Sequence, residues 1–350
     1  MIAKYKSCAI IIQIYFSDGA KMAKKVVTWI IVPFMFLIFI LDMMTLVLCN
    51  IYESKYEITN ETFTLENGDD RIHFLHTGCS DCILIESNSR FALVDAGEGN
   101  YNPRKNVDYE GFEETVLSYI KKICTDASGT AKLDFMLLTH QHYDHSGNAE
   151  AILADEQIEV GTLYMKELAL SVLHDYEIEM WDVPGIYERI IAQAETAGTA
   201  WVSELPENMT FGDFDITLYN TETPLDLMED QGNNAESVGM KLEKAGYTVF
   251  LAADIATTTG QEDLHLDEIG KVDLLKIGHH GYFGSSSMRF LKALSPEIAI
   301  VTNTLGKIYP NVKWNLTVTA KVPIYATVNR NGIIATITDD GNIVLTENIH

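Results

Sequence analysis

Thr139-His140-Gln141-His142-Tyr143-Asp144-His145-Ser146-Gly147 is the stretch that decides how the rest of this chain is read. Four potential metal ligands, His140, His142, Asp144 and His145, fall within six positions. They come directly after the apolar run 133–139 and before a predicted short helix over 146–153. Alternation at a strand end turns His140 and His142 toward one metal, while Asp144 and His145 turn toward a second. Imidazole and carboxylate donors suit zinc, with bonds of ~2.0–2.2 Å, and manganese or iron accept the same donors. The plain alternative is a chance cluster of surface polar residues, and a position at the end of a buried strand argues against it.

Working outward, short apolar runs alternate with turn signals and amphipathic stretches. Upstream, 71–76, 82–86 and 91–95 are predicted strands separated by Gly, Ser and Asn turns. Phe112, Val116, Leu117, Ile120 and Ile123 recur at helical spacing within 111–124. Downstream, 186–197 is a predicted amphipathic helix, and the segment 171–176 around His174 also reads as helical. Strands are predicted at 214–219, 237–242, 248–253, 273–277 and 298–301, with a helix near 287–294. Runs at 324–327, 333–337 and 343–345 close the chain as β. A β-rich half, helices and a second β-rich half predict an α/β domain over 71–350, two sheets sandwiched between helices.

The HxHxDH pattern of 140–145 resembles the signature of the metallo-β-lactamase superfamily, and three further segments stand in that family's order. Val94-Asp95-Ala96-Gly97 is similar to the strand-end Asp-x-Gly that buttresses the site. Phe250-Leu251-Ala252-Ala253-Asp254 resembles the strand whose terminal Asp bridges two metals. Leu275-Lys276-Ile277-Gly278-His279-His280-Gly281, followed by Ser285-Ser286-Ser287, resembles the late His-His-Gly segment. The likeness is strongest to the hydrolase domain of ComEC-type DNA-uptake proteins and their free-standing relatives. Their opening turn is matched by Phe74-Leu75-His76-Thr77-Gly78-Cys79-Ser80-Asp81, and their terminal strands by Tyr325-Ala326-Thr327, Asn331-Gly332 and Asp340-Gly341.

This resemblance covers about residues 71–346 and implies a metallo-β-lactamase-like four-layer αββα sandwich. It implies two divalent ions, zinc with manganese or iron as alternatives. His140 and His142 would hold the first ion, Asp144, His145 and His279 the second, and Asp254 both. Asp95 would orient ligand histidines, and His280 would stand beside the substrate, so Asp144, Asp254 and His280 form the implied catalytic group. Two departures are visible: His76 for the usual Asp of the opening turn, and Ala253 for the Gly before the bridging Asp. The family's third ligand to the first ion is a His between the first motif and that Asp, and His174 is the one histidine there.

Composition sets the surroundings of this domain. The 350 residues include 25 Lys+Arg and 50 Asp+Glu, for a net charge of −25, and 47% are hydrophobic. That excludes wholesale disorder and lacks the basic footprint that long nucleic acid requires. Residues 1–50 carry +3 of the −25 total, leaving −28 on residues 51–350. Residues 26–49 hold one charge, Asp42, in 24 positions, and at ~1.5 Å per residue a helix of that length crosses a ~30 Å hydrocarbon core. This reads as an uncleaved transmembrane signal anchor ahead of a cleaved signal peptide, whose apolar region is about 7–15 residues. Lys21, Lys24 and Lys25 precede it, so 1–25 is expected in the cytoplasm and the body outside, joined by a 50–70 linker. Met22 offers an alternative start. Five cysteines form no regular framework, and Cys79-Ser-Asp-Cys82 has no second pair for a four-thiolate site.

The expected activity is metal-dependent hydrolysis at a membrane surface, with activated water attacking phosphorus or carbon. A phosphodiester in a small molecule or surface polymer is the leading substrate. An ester, lactone or amide hydrolase with the same centre is the alternative, and a degenerate, non-catalytic binding module is the third reading.

Overall fold

Side-chain alternation along the strands builds three separate cores, and those cores define four layers. In β3 (Cys82–Ser87), Ile83 and Ile85 face one side while Cys82 and Leu84 face the other. β4 (Arg90–Ala96) repeats this, with Ala92 and Val94 against Leu93 and Ala96. In the second sheet, Val249 and Leu251 of β11 (Tyr247–Leu251) join Ile83 and Ile85 in the central core, and Phe250 points away. The central core therefore lies between two sheets. The second core packs the outer face of the first sheet against helices Glu113–Cys124, Ala149–Ala154 and Val183–Ala197. The third packs the outer face of the second sheet against Met288–Leu294 and Pro310–Trp314. This is the expected αββα sandwich.

The computed structural model describes residues 21–53, 58–59, 69–223, 232–339 and 342–349. The segment 1–20, most of the expected 50–70 linker and the Asp340-Gly341 turn lie outside the described residues. Two units divide the chain, Met1–Val47 and Leu48–His350. The helix Lys21–Glu53 contains Pro33, and its stretch Ile31–Tyr52 is long and apolar enough to cross a membrane.

Among the described residues the first sheet has nine strands, in the order β1 (Ile58–Thr59), β16 (Ile343–Glu347), β15 (Ile333–Ile337), β2 (Asp70–Phe74), β3, β4, β5, β6 and β7. The second has seven, in the order β14, β13, β12, β11, β10 (Gly239–Lys244), β9 (Phe214–Tyr219) and β8 (Asn208–Phe211). Apart from the parallel edge pair β1 and β16, each sheet is antiparallel on one side and parallel on the other. β4, β5 (Ala131–Leu137), β6 (Ile158–Tyr164) and β7 (Ala200–Val202) run parallel. So do β11, β12 (Leu274–Lys276), β13 (Ile298–Val301) and β14 (Ile324–Ala326). Parallel neighbours need crossover segments, which brings the loops after β4, β5, β11 and β12 to their carboxyl ends.

Several elements differ from the sequence expectation, among them β7 and the helix Pro310–Trp314, which it lacks. β6 has no predicted counterpart because Gly161 interrupts it; a Cβ there would lie 2.7 Å from the Asp134 carbonyl oxygen on the neighbouring strand. The single helix expected after the histidine cluster is two, Tyr143–Ser146 and Ala149–Ala154, broken at Gly147. His174 is not inside a helix: it precedes the five-residue helix Asp175–Glu179, whose first turn its extended backbone starts.

Candidate metal centre

The loop after β5 is pinned to the end of β4. Thr139 donates to Asp95 twice, from its amide to Oδ1 at 2.8 Å and from its hydroxyl to Oδ2 at 2.9 Å. His145 Nδ1 lies 2.7 Å from Asp95 Oδ2, so the carboxylate fixes the ring with Nε2 turned inward. The two loops meet backbone to backbone at Gly99 and Gly147. A Cβ on Gly147 would sit 2.4 Å from Gly99 N and 2.5 Å from the Tyr143 oxygen.

Asp254, just past β11, stands between two histidine pairs. Its Oδ1 is 3.2 Å from His145 Nε2 and 3.3 Å from His280 Nε2. Those two ring nitrogens are 3.1 Å apart, and His280 Nε2 is 3.7 Å from Asp144 Oδ2. Its Oδ2 is 3.9 Å from His140 Nε2 and 3.7 Å from His279 Nε2. Two donors bound ~2.1 Å from one tetrahedral ion lie roughly 3.4 Å apart. Separations of 3.7 and 3.9 Å exceed hydrogen-bond range yet suit co-ligands. His140 Nε2 is buried without a hydrogen-bond partner, and such a nitrogen is normally satisfied. The donor set and this orphaned nitrogen fit a divalent metal.

The electrostatics favour a cation at the same point. Burial opposes charge on His145, but Asp254 and Asp95 outweigh it and hold its pKa well above the usual value. Burial pushes His140 well below its usual value, with His145 and His142 adding to the effect. Asp254 is likewise buried, yet His145, His280 and His279 keep it ionised.

A second ring of groups lies behind these residues. Asp81 Oδ1 accepts from Thr302 Oγ1 at 2.5 Å and is 3.3 Å from His280 Nδ1, while Lys276 pairs with Oδ2. Asp81 stays ionised because Lys276, His280 and His145 together overcome its burial. It shares the compact group Asp81, His145, Asp254 and His280, but it approaches the Nδ1 side of His280 and is engaged by Lys276. Arg104 contacts Glu98 and stands 3.7 Å from Asp144 Oδ1. His142 Nε2 lies 2.6 Å from Oε1 of Glu177, which also accepts from the Asn233 amide at 2.9 Å.

Of the sequence-predicted residues, His140, Asp144, His145, Asp254, His279 and His280 converge around Asp254. His142 packs beside His140, ring centroids 4.9 Å apart. His280 is fully buried, whereas the His279 side chain is 26% exposed. His174 stacks on Tyr176 and lies against Gly232. Asp81, Glu177, Asn234, Lys276 and Arg104 were not singled out as site residues by the sequence reasoning. Asp81 alone carried a signal, as the acid that ends the opening turn.

The chain thus has the αββα sandwich of the metallo-β-lactamase-like fold, with a His/Asp cluster suited to a divalent metal. The chain is similar to ComE operon protein 3 of Bacillus subtilis, 26% identical over 178 residues, half of this chain and 20% of that much longer protein. Among solved structures it is similar to the metallo-β-lactamase-fold protein YhfI of Bacillus subtilis, at 14% identity and a TM-score of 0.45 over 76% of this chain and 99% of that one. It is also similar to the short form of human tRNase Z, at 13% identity and a TM-score of 0.37 over 65% of this chain and 91% of that one. No family model matches the chain.

Proposed function

We propose that this chain is a membrane-tethered metallohydrolase with a dinuclear, zinc-type centre that cleaves phosphodiesters. Residues 71–350 form the hydrolase domain, 26–49 the anchor and 1–25 a cytoplasmic segment, with the centre outside the cell. The observation that carries this reading is the division of Asp254, whose two oxygens face two separate histidine groups. His145, His280 and Asp144 gather at Oδ1, and His140 with its neighbour His142 stands on the Oδ2 side. Two divalent ions held by these residues would supply hydroxide at neutral pH and a Lewis acid for the substrate oxygen.

The protein's own groups orient that chemistry. Asp95 and Asp81 hold His145 and His280 from behind, and Arg104 steadies Asp144. Asp144 is the cluster carboxylate with solvent access, its side chain 20% exposed, and so marks the side from which substrate enters. The −28 body favours a small or surface-polymer ester over long nucleic acid.

The test uses the full chain in detergent micelles with added zinc or manganese. Chromogenic phosphodiester, phosphomonoester, lactone and β-lactam substrates are compared, with Asp254→Asn as the matched control. Phosphodiester turnover that Asp254→Asn abolishes is expected. Turnover of the lactone alone would replace the substrate class and leave the centre intact. A chain that binds metal and turns over none of the four would refute the phosphodiesterase reading.

A further inference from the structure

The centre has a gap when compared with the pattern it resembles: no histidine between His145 and Asp254 reaches it. His174, the one residue of that type in the interval, has its ring stacked on Tyr176 at 5.3 Å. Resting on the two-ion reading above, we propose that His279 and Asn234 complete the first ion's shell, so that the adjacent histidines 279 and 280 serve different ions.

Three observations carry this. The first is backbone geometry. His279 (φ 47°, ψ 44°) and His280 (φ 48°, ψ 23°) both adopt the left-handed conformation, which non-glycine residues rarely do twice in succession. It is held by long-range contacts: the His279 amide donates to the Ala253 carbonyl at 2.9 Å, and Asn303 Nδ2 donates to the His280 carbonyl at 3.1 Å. Strain held this firmly is typical of functional positions. Its effect is to separate the two rings, 6.4 Å between centroids, although their residues are neighbours in sequence.

The second observation is where each ring goes. His280 Nε2 faces Asp254 Oδ1 at 3.3 Å, and His279 Nε2 faces Oδ2 at 3.7 Å. Oδ2 is also the oxygen that His140 faces, at 3.9 Å. His279 thus stands with His140, on the side that lacks a ligand.

The third is Asn234. Its Nδ2 is 3.2 Å from His279 Nε2, and its Oδ1 is buried with no hydrogen-bond partner. A side-chain amide can be turned end for end without moving anything else. Turned, Asn234 presents a carbonyl oxygen 3.2 Å from a ring nitrogen, close to the ~3.4 Å spacing of two ligands on one tetrahedral ion.

The experiment loads the full-length chain with Co2+ and counts bound ions per chain in the wild type, His279→Cys, His279→Gln and His174→Gln. Two ions are expected in the wild type and in His174→Gln, and half that number in His279→Gln. A thiolate ligand gives a sulfur-to-cobalt charge-transfer band, so His279→Cys is expected to gain one that the wild type lacks. That signal requires a folded site and so separates lost ligation from lost folding. If the wild type holds two ions while His279→Gln also keeps two and His279→Cys shows no new band, the assignment of His279 is wrong and the two-ion centre stands. A wild type that holds fewer than two ions overturns both.

Discussion

Glu177→Gln is the substitution that tests how His142 is held. Glu177 is fully buried and accepts three hydrogen bonds: from His142 Nε2 at 2.6 Å, the Asn233 amide at 2.9 Å and the His174 amide at 2.7 Å. With Nε2–H directed to the carboxylate, Nδ1 of His142 carries no proton and is free to bind a metal. Glutamine keeps the volume but has one acceptor oxygen instead of two. If that oxygen keeps His142 and Asn233, the amide NH2 opposes the His174 N–H, donor against donor. If it turns, the NH2 faces His142 and forces the proton onto Nδ1. Either arrangement loses a charge-assisted hydrogen bond of about 1.5–3 kcal/mol. Expressed in metal affinity, that is a loss of roughly 10–100-fold, the range for groups that orient a ligand histidine. A competition titration against a chromophoric chelator measures it, alongside urea unfolding of the metal-free chain. The sign of the pH dependence also follows. Burial opposes ionisation of Glu177, but His142 and the two amides outweigh it, so the folded pKa lies below the usual 4.5. The stability it contributes is present above ~4.5 and is lost as pH falls through the folded value. The gap between wild type and Glu177→Gln therefore narrows below about pH 4.5. An affinity within threefold of wild type at pH 7 would refute the role given to Glu177.

Lys276 is fully buried against Asp81 and the Ala253 carbonyl, so Lys276→Met removes the strongest counter-charge of a buried carboxylate and should cost about 3–5 kcal/mol in urea unfolding. Burial raises Glu262 from 4.5 to about 7, so its folded form favours the neutral acid and stability falls as pH rises from 4.5 through 7. Glu262→Gln should then be stabilising by up to ~3 kcal/mol at pH 8 and nearly neutral at pH 4.5, read by thermal unfolding at both pH values. Gly147→Ala should lower the melting temperature sharply, because the added methyl meets Gly99 N and the Tyr143 oxygen at 2.4 and 2.5 Å, and backbone atoms cannot step aside as a side chain does.

What was legible in the sequence was whatever depends on near neighbours. Four potential ligands in 140–145 after an apolar run specify a strand end with donors on both sides. Short apolar runs at 82–86 and 91–95, bounded by turn residues, specify strands, and both are found as the antiparallel pair β3 and β4. Even Ala253 gave a usable signal. It replaces the Gly of the related pattern and is found at φ 44°, a conformation for which glycine is the natural choice. Its carbonyl accepts from Lys276 Nζ and the His279 amide, both at 2.9 Å, and these bonds hold the turn without glycine.

The rest was illegible because it is fixed by residues remote in sequence. Glu177 sits on a five-residue helix with no apolar periodicity, and it acquires a role only where the chain returns at Asn233. Asn234 is one of two ordinary asparagines until it meets His279, 45 positions later. The pair His279-His280 is the sharpest case. Read along the chain, adjacent side chains compete for one ion and a choice between them is forced. Two consecutive left-handed residues remove the competition, and nothing local favours that conformation. The Ala253 carbonyl and Asn303 impose it from the loops that follow β11 and β13. A ligand missing from its usual interval is therefore sought in space around the orphaned His140 nitrogen, not in sequence between the motifs.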